Sequence, residues 1–186
     1  IYENFDAGLS RYTTGVFVNI QTSGGPGSAD SVFTEAGSNY LDIGPVSNSF
    51  ISTPSGSQPG VGDSFIVFLS RGSNPSNPGF LFGASTNNWI NIYAGSNEIT
   101  IQDSGLTSGD VIRTGSTAPP ADTWVLIRID WDSASSIRIR NFGTDYDMSG
   151  SPIDDLTVSG YTDGLIGWSS GSSSGSGHAD FLAELV

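Results

Sequence analysis

Trp124-Val-Leu-Ile-Arg-Ile-Asp-Trp131, the turn Asp132-Ser-Ala-Ser-Ser136 and Ile137-Arg-Ile-Arg-Asn-Phe142 form the stretch that decides the fold. Val125, Ile127, Ile129 and Trp131 recur at every second residue, which places them on one face of an extended strand. Ile137 and Ile139 continue that apolar face after the turn, so the two segments read as a β-hairpin with one face in the core. The opposite face carries Arg128 and Asp130 against Arg138 and Arg140, a cross-strand charge cluster.

Upstream, Ser64-Phe-Ile-Val-Phe-Leu-Ser70 is an unbroken apolar run and predicts a central strand buried on both faces. Further strands are expected at 80–84, 89–94, 98–102, 111–114, 155–158 and 165–169, with Gly95-Ser-Asn97 as a hairpin turn. Weaker strands fit 1–6, 15–20, 31–35, 39–43 and 47–52, and the end of the chain, from His178 onward, alternates well enough for a final strand. Loops rich in Gly, Pro and Ser separate them, including 54–62, 72–79 and 169–177. The expected architecture is all-β, a two-sheet antiparallel jelly-roll sandwich spanning 1–186 as one domain, part of a larger exported or virion protein.

The chain of 186 residues carries a formal net charge of -13, and its six basic residues are all arginine. An acidic surface without lysine suits concentrated salt, where hydrated cations screen self-repulsion, so a halophile or its virus is the expected source. An acidic secreted protein from any source is the other reading. Nucleic acid and anionic membranes are poor partners for such a surface, and no apolar stretch is long enough to span a bilayer as a helix. With no cysteine, disulfides and thiolate metal sites are excluded. The chain opens on Ile1, which fits either a removed export signal or a piece of a longer protein.

Tyr2-Glu-Asn-Phe-Asp6, the Trp124–Trp131 hairpin strand, Gly164-Leu-Ile-Gly-Trp168 and Ala179-Asp-Phe-Leu-Ala-Glu-Leu185 together resemble the concanavalin A-like lectin/glucanase superfamily, especially its laminin-G-like branch. The resemblance covers nearly the whole chain and implies the jelly roll, but it hosts lectins, glycosidases and attachment domains alike. It also implies that the first and last strands pair in one sheet. That pairing would bring Glu3, Asp6 and Asp180 together as ligands of a structural Ca2+, which takes six to eight oxygen ligands. Asp145, Asp147, Asp154 and Asp155 form a second acidic grouping.

Glycosidases of this superfamily resemble one another in a Glu-x-Asp-x-x-Glu strand, whose paired carboxylates act as acid and nucleophile or base. The nearest stretch here, Ile129-Asp-Trp-Asp132, lacks both glutamates, so no enzyme activity is expected. The sole histidine, His178, follows a Gly-Ser loop with no Gly-x-Ser-x-Gly elbow and reads as an exposed strand start. Sugar rings are gripped by aromatic faces and amide or carboxylate hydrogen bonds. Trp89 with Asn87 and Asn88, Tyr93 and Trp168 are therefore the expected glycan-binding residues, with Tyr146 a further aromatic of the same kind. The arginine cluster offers an anionic glycan a partner, or it pairs with Asp130 and other local acids. The resulting expectation is a noncatalytic domain for cell-surface attachment, lectin-like, extracellular or on a virion, recognising a cell-surface glycan or glycoprotein from several displayed copies. A purely structural decoration or spacer domain is the alternative, and a glycan hydrolase or lyase a third.

Overall fold

The computed structural model describes residues 2–3, 13–14, 18–25, 39–43, 49–52, 61–71, 78–85, 88–94, 99–103, 111–114, 122–133, 136–158, 165–170 and 177–185. Side chains are described for 20–25, 39–42, 61–70, 122–133, 136–157, 178 and 185. Among these residues there are fifteen strands and no helix. They are β1 (Tyr2–Glu3), β2 (Thr13–Thr14), β3 (Val18–Gln21), β4 (Tyr40–Ile43), β5 (Ser49–Ser52), β6 (Ser64–Arg71), β7 (Pro78–Ser85) and β8 (Asn88–Ala94). The chain continues with β9 (Ile99–Asp103), β10 (Val111–Thr114), β11 (Trp124–Ser133), β12 (Ser136–Gly143), β13 (Asp154–Val158), β14 (Leu165–Ser170) and β15 (Gly177–Glu184).

Two antiparallel sheets result. The first runs β13-β12-β11-β6-β15-β4-β3, with β1 also paired to β15, and the second runs β10-β9-β8-β7-β14-β5-β2. Strands distant in sequence lie side by side, the crossing pattern of a jelly roll. The terminal strands do pair, Tyr2 opposite Ala183 and Glu3 opposite Leu182. The expected strand at 31–35 lies outside the described residues.

The β11–β12 hairpin forms as its alternation dictates, with Ile129 opposite Ile139 and Trp131 opposite Ile137. On the other side of β11, Val125, Ile127 and Ile129 stand opposite Leu69, Val67 and Phe65 of β6. All of these residues are buried. They form the face of the first sheet that the second sheet closes off, where β7 and β8 lie against β6, and β7 and β14 against β15.

Central placement of β6 has a further consequence. Ile66 and Phe68 are as buried as Phe65 and Val67 but belong to the opposite face. There they join Trp124, Leu126, Phe142 and Tyr146 in a second apolar cluster, edged by Tyr40, Met148 and Leu185. The segment after β12 covers it. Tyr146 packs edge-on against Phe68 with ring centroids 5.4 Å apart, and its hydroxyl donates to the Trp124 carbonyl at 2.9 Å. An irregular register between Leu126 and Ile127, opposite Gly143 and Asn141, opens the strand where the segment departs. Its backbone turns are closed by Asp145 N–H to the Phe142 carbonyl at 3.1 Å and Ile153 N–H to the Asn141 carbonyl at 2.7 Å.

Candidate functional site

The outer face of the first sheet thus has a covered half, and beside it lie two groups of polar side chains. The first group is the charge cluster of the hairpin. Asp130 accepts hydrogen bonds from Arg128 Nε at 3.0 Å and Nη2 at 2.8 Å, from Ser64 Oγ at 2.9 Å, and from Arg140 Nη2. Burial opposes ionisation of Asp130, but the hydrogen bonds from Arg128, Arg140 and Ser64 outweigh it and hold the carboxyl below the ordinary carboxylate range. Arg138 forms a two-pronged pair with Asp155, Nε to Oδ1 at 2.7 Å and Nη2 to Oδ2. The arginines are therefore engaged by local acids, as one of the two sequence readings had it.

The second group lies across β3, β4, β15 and the start of β11. Its rows follow from register: Asp42 is opposite His178, His178 opposite Ser70, and Ser70 opposite Trp124. Residues on one row share a face, so these four are brought together although they span most of the sequence. Tyr40, two residues before Asp42, takes the same face. Its ring meets His178 at 4.8 Å and Trp124 edge-on at 5.4 Å, while Trp124 and His178 lie 6.3 Å apart. Trp124 Nε1 donates to the Gly24 carbonyl at 2.9 Å, fixing the turn after β3 beside the cluster. From that strand Gln21 Nε2 donates to Asp42 Oδ2 at 3.0 Å.

Two electrostatic consequences follow. Burial, then the nearby carboxylates of Asp42 and Asp122, push the Tyr40 phenol above its ordinary range, so it stays a neutral hydroxyl. Burial pushes the His178 imidazole down, against the pull of Asp42 and Asp122, so the ring is neutral at pH 7. His178 Nε2 lies 3.9 Å from Asp42 Oδ1, an oxygen that is buried and accepts no hydrogen bond. The row Asp42–His178–Ser70 has the residue types of a serine hydrolase. Ser70, however, is only 1% exposed, so its hydroxyl is closed to a substrate.

Several sequence expectations are corrected. His178 is not an exposed strand start: it is largely enclosed between Tyr40, Trp124 and Asp42. Tyr146 is no sugar platform, because its ring is spent on the second core. The acidic grouping around the 143–153 segment does not converge on an ion. Asp145 accepts from Gly150 N–H at 2.7 Å and Asp147 from Ser149 N–H at 3.2 Å; Asp154 accepts from Asn141 Nδ2 at 2.9 Å, and Asp155 is held by Arg138. Among the described residues no three His, Cys, Asp or Glu side chains gather as metal ligands.

Of the residues expected to bind glycan, Asn87 lies outside the described residues, and Asn88, Trp89, Tyr93 and Trp168 are described in backbone alone. Asn88, Trp89 and Tyr93 belong to β8 and Trp168 to β14, with β7 between them. Trp168 is in one cross-strand row with Phe80 and Ile92, Tyr93 in the next with Gly79 and Ser169. Adjacent rows alternate between the faces of a sheet. For the expected calcium ligands, Glu3 and Asp180 are on the paired strands β1 and β15, and Asp6 lies outside the described residues. The Tyr40–His178 group was missed altogether.

The two antiparallel sheets and their crossing strand order define a jelly-roll β-sandwich, the class that the hairpin and its neighbours implied. Comparison with protein-family models finds no match, nor does sequence comparison with curated proteins. Solved structures are similar in fold. The carbohydrate-binding module CBM66 from Bacillus subtilis aligns over 95% of this chain and 96% of its own, with 12% identity and a TM-score of 0.58. A glycosyl hydrolase family protein from Mycobacterium fortuitum aligns over 100% and 98%, with 12% identity and a TM-score of 0.60. Chicken galectin 2 aligns over 69% and 94%, with 8% identity and a TM-score of 0.51.

Proposed function

We propose that this chain is a noncatalytic carbohydrate-binding domain that attaches a larger extracellular or virion assembly to a cell-surface glycan. The observation that carries the reading is the Tyr40–His178 face. There the half-buried Tyr40 with its ring and neutral phenol, the partly exposed Asp42 carboxylate and the exposed amide of Gln21 lie side by side on one sheet face, the kinds of functional group that hold a pyranose ring and its hydroxyls. Similarity in fold to a carbohydrate-binding module and to a galectin supports it. Similarity to a glycosyl hydrolase family protein leaves cleavage to be tested, and the lack of the paired-glutamate strand argues against it. An open face binds weakly per site, so attachment rests on several copies acting together. A calcium ion held by Glu3, Asp6 and Asp180, and a salt-rich habitat, belong to the same proposal.

The test is a glycan array probed with a multimerised domain, with reducing-end release measured on the same glycans. The expected result is array binding that Gln21→Ala and Tyr40→Ala weaken, with no release. Trp89→Ala and Trp168→Ala run in parallel examine the second sheet. Absence of glycan binding by the multimer would leave a structural decoration or spacer domain as the function, and release of reducing ends would make the protein an enzyme.

A further inference from the structure

We infer that Met148 is an oxidation-sensitive clasp: a hydroperoxide that converts its thioether to the sulfoxide releases the 143–153 segment from the second core. The inference goes beyond the carbohydrate reading and does not depend on it. The chain has no cysteine and one methionine, so Met148 Sγ is the sole sulfur in the protein. Sulfur side chains are where mild oxidants act on proteins. Between β12 and β13, Tyr146 and Met148 are the two residues that pack on the second core, Tyr146 buried within it and Met148 partly buried at its rim. Exposed Asp147 and Ser149 flank Met148, so a small oxidant reaches its sulfur without unfolding the chain.

The backbone makes that contact matter. Met148 has a φ of 53°, in the left-handed region that side-chain-bearing residues avoid, and its N–H donates to the Asp145 carbonyl at 3.2 Å. Apolar contact with the core offsets this conformational cost, and losing the contact leaves the cost unopposed. In the oxidation, an Sγ lone pair attacks one oxygen of hydrogen peroxide and the O–O bond breaks. The proton on the transferred oxygen passes to the departing hydroxide to give water. Sulfur loses two electrons, the peroxide gains them, and an S=O group stands where an apolar sulfur was. That oxygen needs a donor. The donors within the buried cluster are already engaged, Trp124 Nε1 by the Gly24 carbonyl and the Tyr146 hydroxyl by the Trp124 carbonyl. Water supplies the donor instead, so the side chain turns outward and leaves Tyr146 to hold the segment alone.

The experiment treats the folded chain with hydrogen peroxide and maps the added mass by peptide mass spectrometry. One added oxygen is expected at Met148 while circular dichroism still shows the native fold. The melting temperature should then fall by roughly 2–8 °C. Chymotrypsin should cut after Tyr146 roughly 5–30 times faster, because an unpartnered polar group at the core raises the open population by about that factor. Methionine sulfoxide reductases should reverse both changes. Met148→Leu keeps an apolar side chain of similar size and should show neither change after peroxide. Reversal is read on the wild-type chain, so the test holds even where the leucine variant folds poorly. No oxygen at Met148 in the folded chain, an oxidised chain with unchanged melting and cleavage, a loss that the reductases do not reverse, or the same loss in a folded Met148→Leu would each overturn the inference. None of these readouts involves a glycan, so binding or its absence on the array bears on the carbohydrate reading alone.

Discussion

Replacing Asp130 by asparagine isolates the contribution of the hairpin charge cluster. The side chain is 11% exposed and its two arginine partners, Arg128 and Arg140, are 30% and 19% exposed. Asparagine keeps the shape but removes the charge, and turns an amide N–H₂ toward a guanidinium. Breaking a fully buried ion pair costs about 3–5 kcal/mol. Water reaches both arginines here and recovers part of that, so the expected loss is about 2–3 kcal/mol. In a domain of this size that corresponds to a fall in melting temperature of roughly 5–10 °C. Urea is the appropriate denaturant, because guanidinium chloride would screen the cluster under study. A pH series supplies a second readout. The folded-state pKa of Asp130 is lowered, so its stabilisation is present above the unfolded-state value and is lost as pH falls through the folded one. The wild type should therefore converge on the variant in acid. A loss under about 1 kcal/mol at neutral pH, or a gap between the two proteins that does not close in acid, would refute the reasoning.

Gly143 has a φ of 60°, and an added Cβ would come within 2.6 Å of Ile153 Cδ1. Ile153 is exposed and can move aside, so Gly143→Ala should cost mainly its backbone strain, about 1–2 kcal/mol in urea unfolding. The proposal of a salt-rich habitat predicts that the melting temperature rises from low to molar salt; a flat profile would count against it. The proposed calcium ion predicts that chelation lowers the melting temperature and that Asp180→Asn abolishes the response, checked by calorimetric titration of the metal-stripped chain.

The strands were legible where a local pattern was strong enough to define them. Alternation in 124–131 and 137–142 gave β11 and β12 nearly to the residue, and the apolar run of 64–70 gave β6 and its burial on both faces. Two-residue β2 at Thr13–Thr14 carries no period and was not readable. The second core was hidden in plain view. Trp124 and Leu126 share the face of Arg128 and Asp130, and Ile66 and Phe68 share it on β6, so that face needed an apolar cover. The Asp- and Gly-containing segment after β12 looks like a surface loop, and only the position of Tyr146 over Phe68 reveals it as that cover. The Tyr40–His178 group was unreadable for a different reason. Its members come from β3, β4, β11 and β15, and nothing local to any of them specifies the strand order that makes them neighbours.

Covering one half of the outer face has a bearing on the other half. Trp124 belongs to both: its ring is in the second core, its Nε1 holds the Gly24 carbonyl, and its carbonyl accepts from the Tyr146 hydroxyl. Tyr40 packs on the same core with one side and meets His178 with another. The aromatic part of the proposed site is therefore set by packing within the domain before any ligand arrives. A shallow face can ill sustain the entropy loss of ordering flexible side chains on binding, and fixing them in advance removes that cost. On the proposed reading, the loop that seals the second core would contribute to recognition without touching the ligand, because the core it seals holds the Tyr40 ring in place.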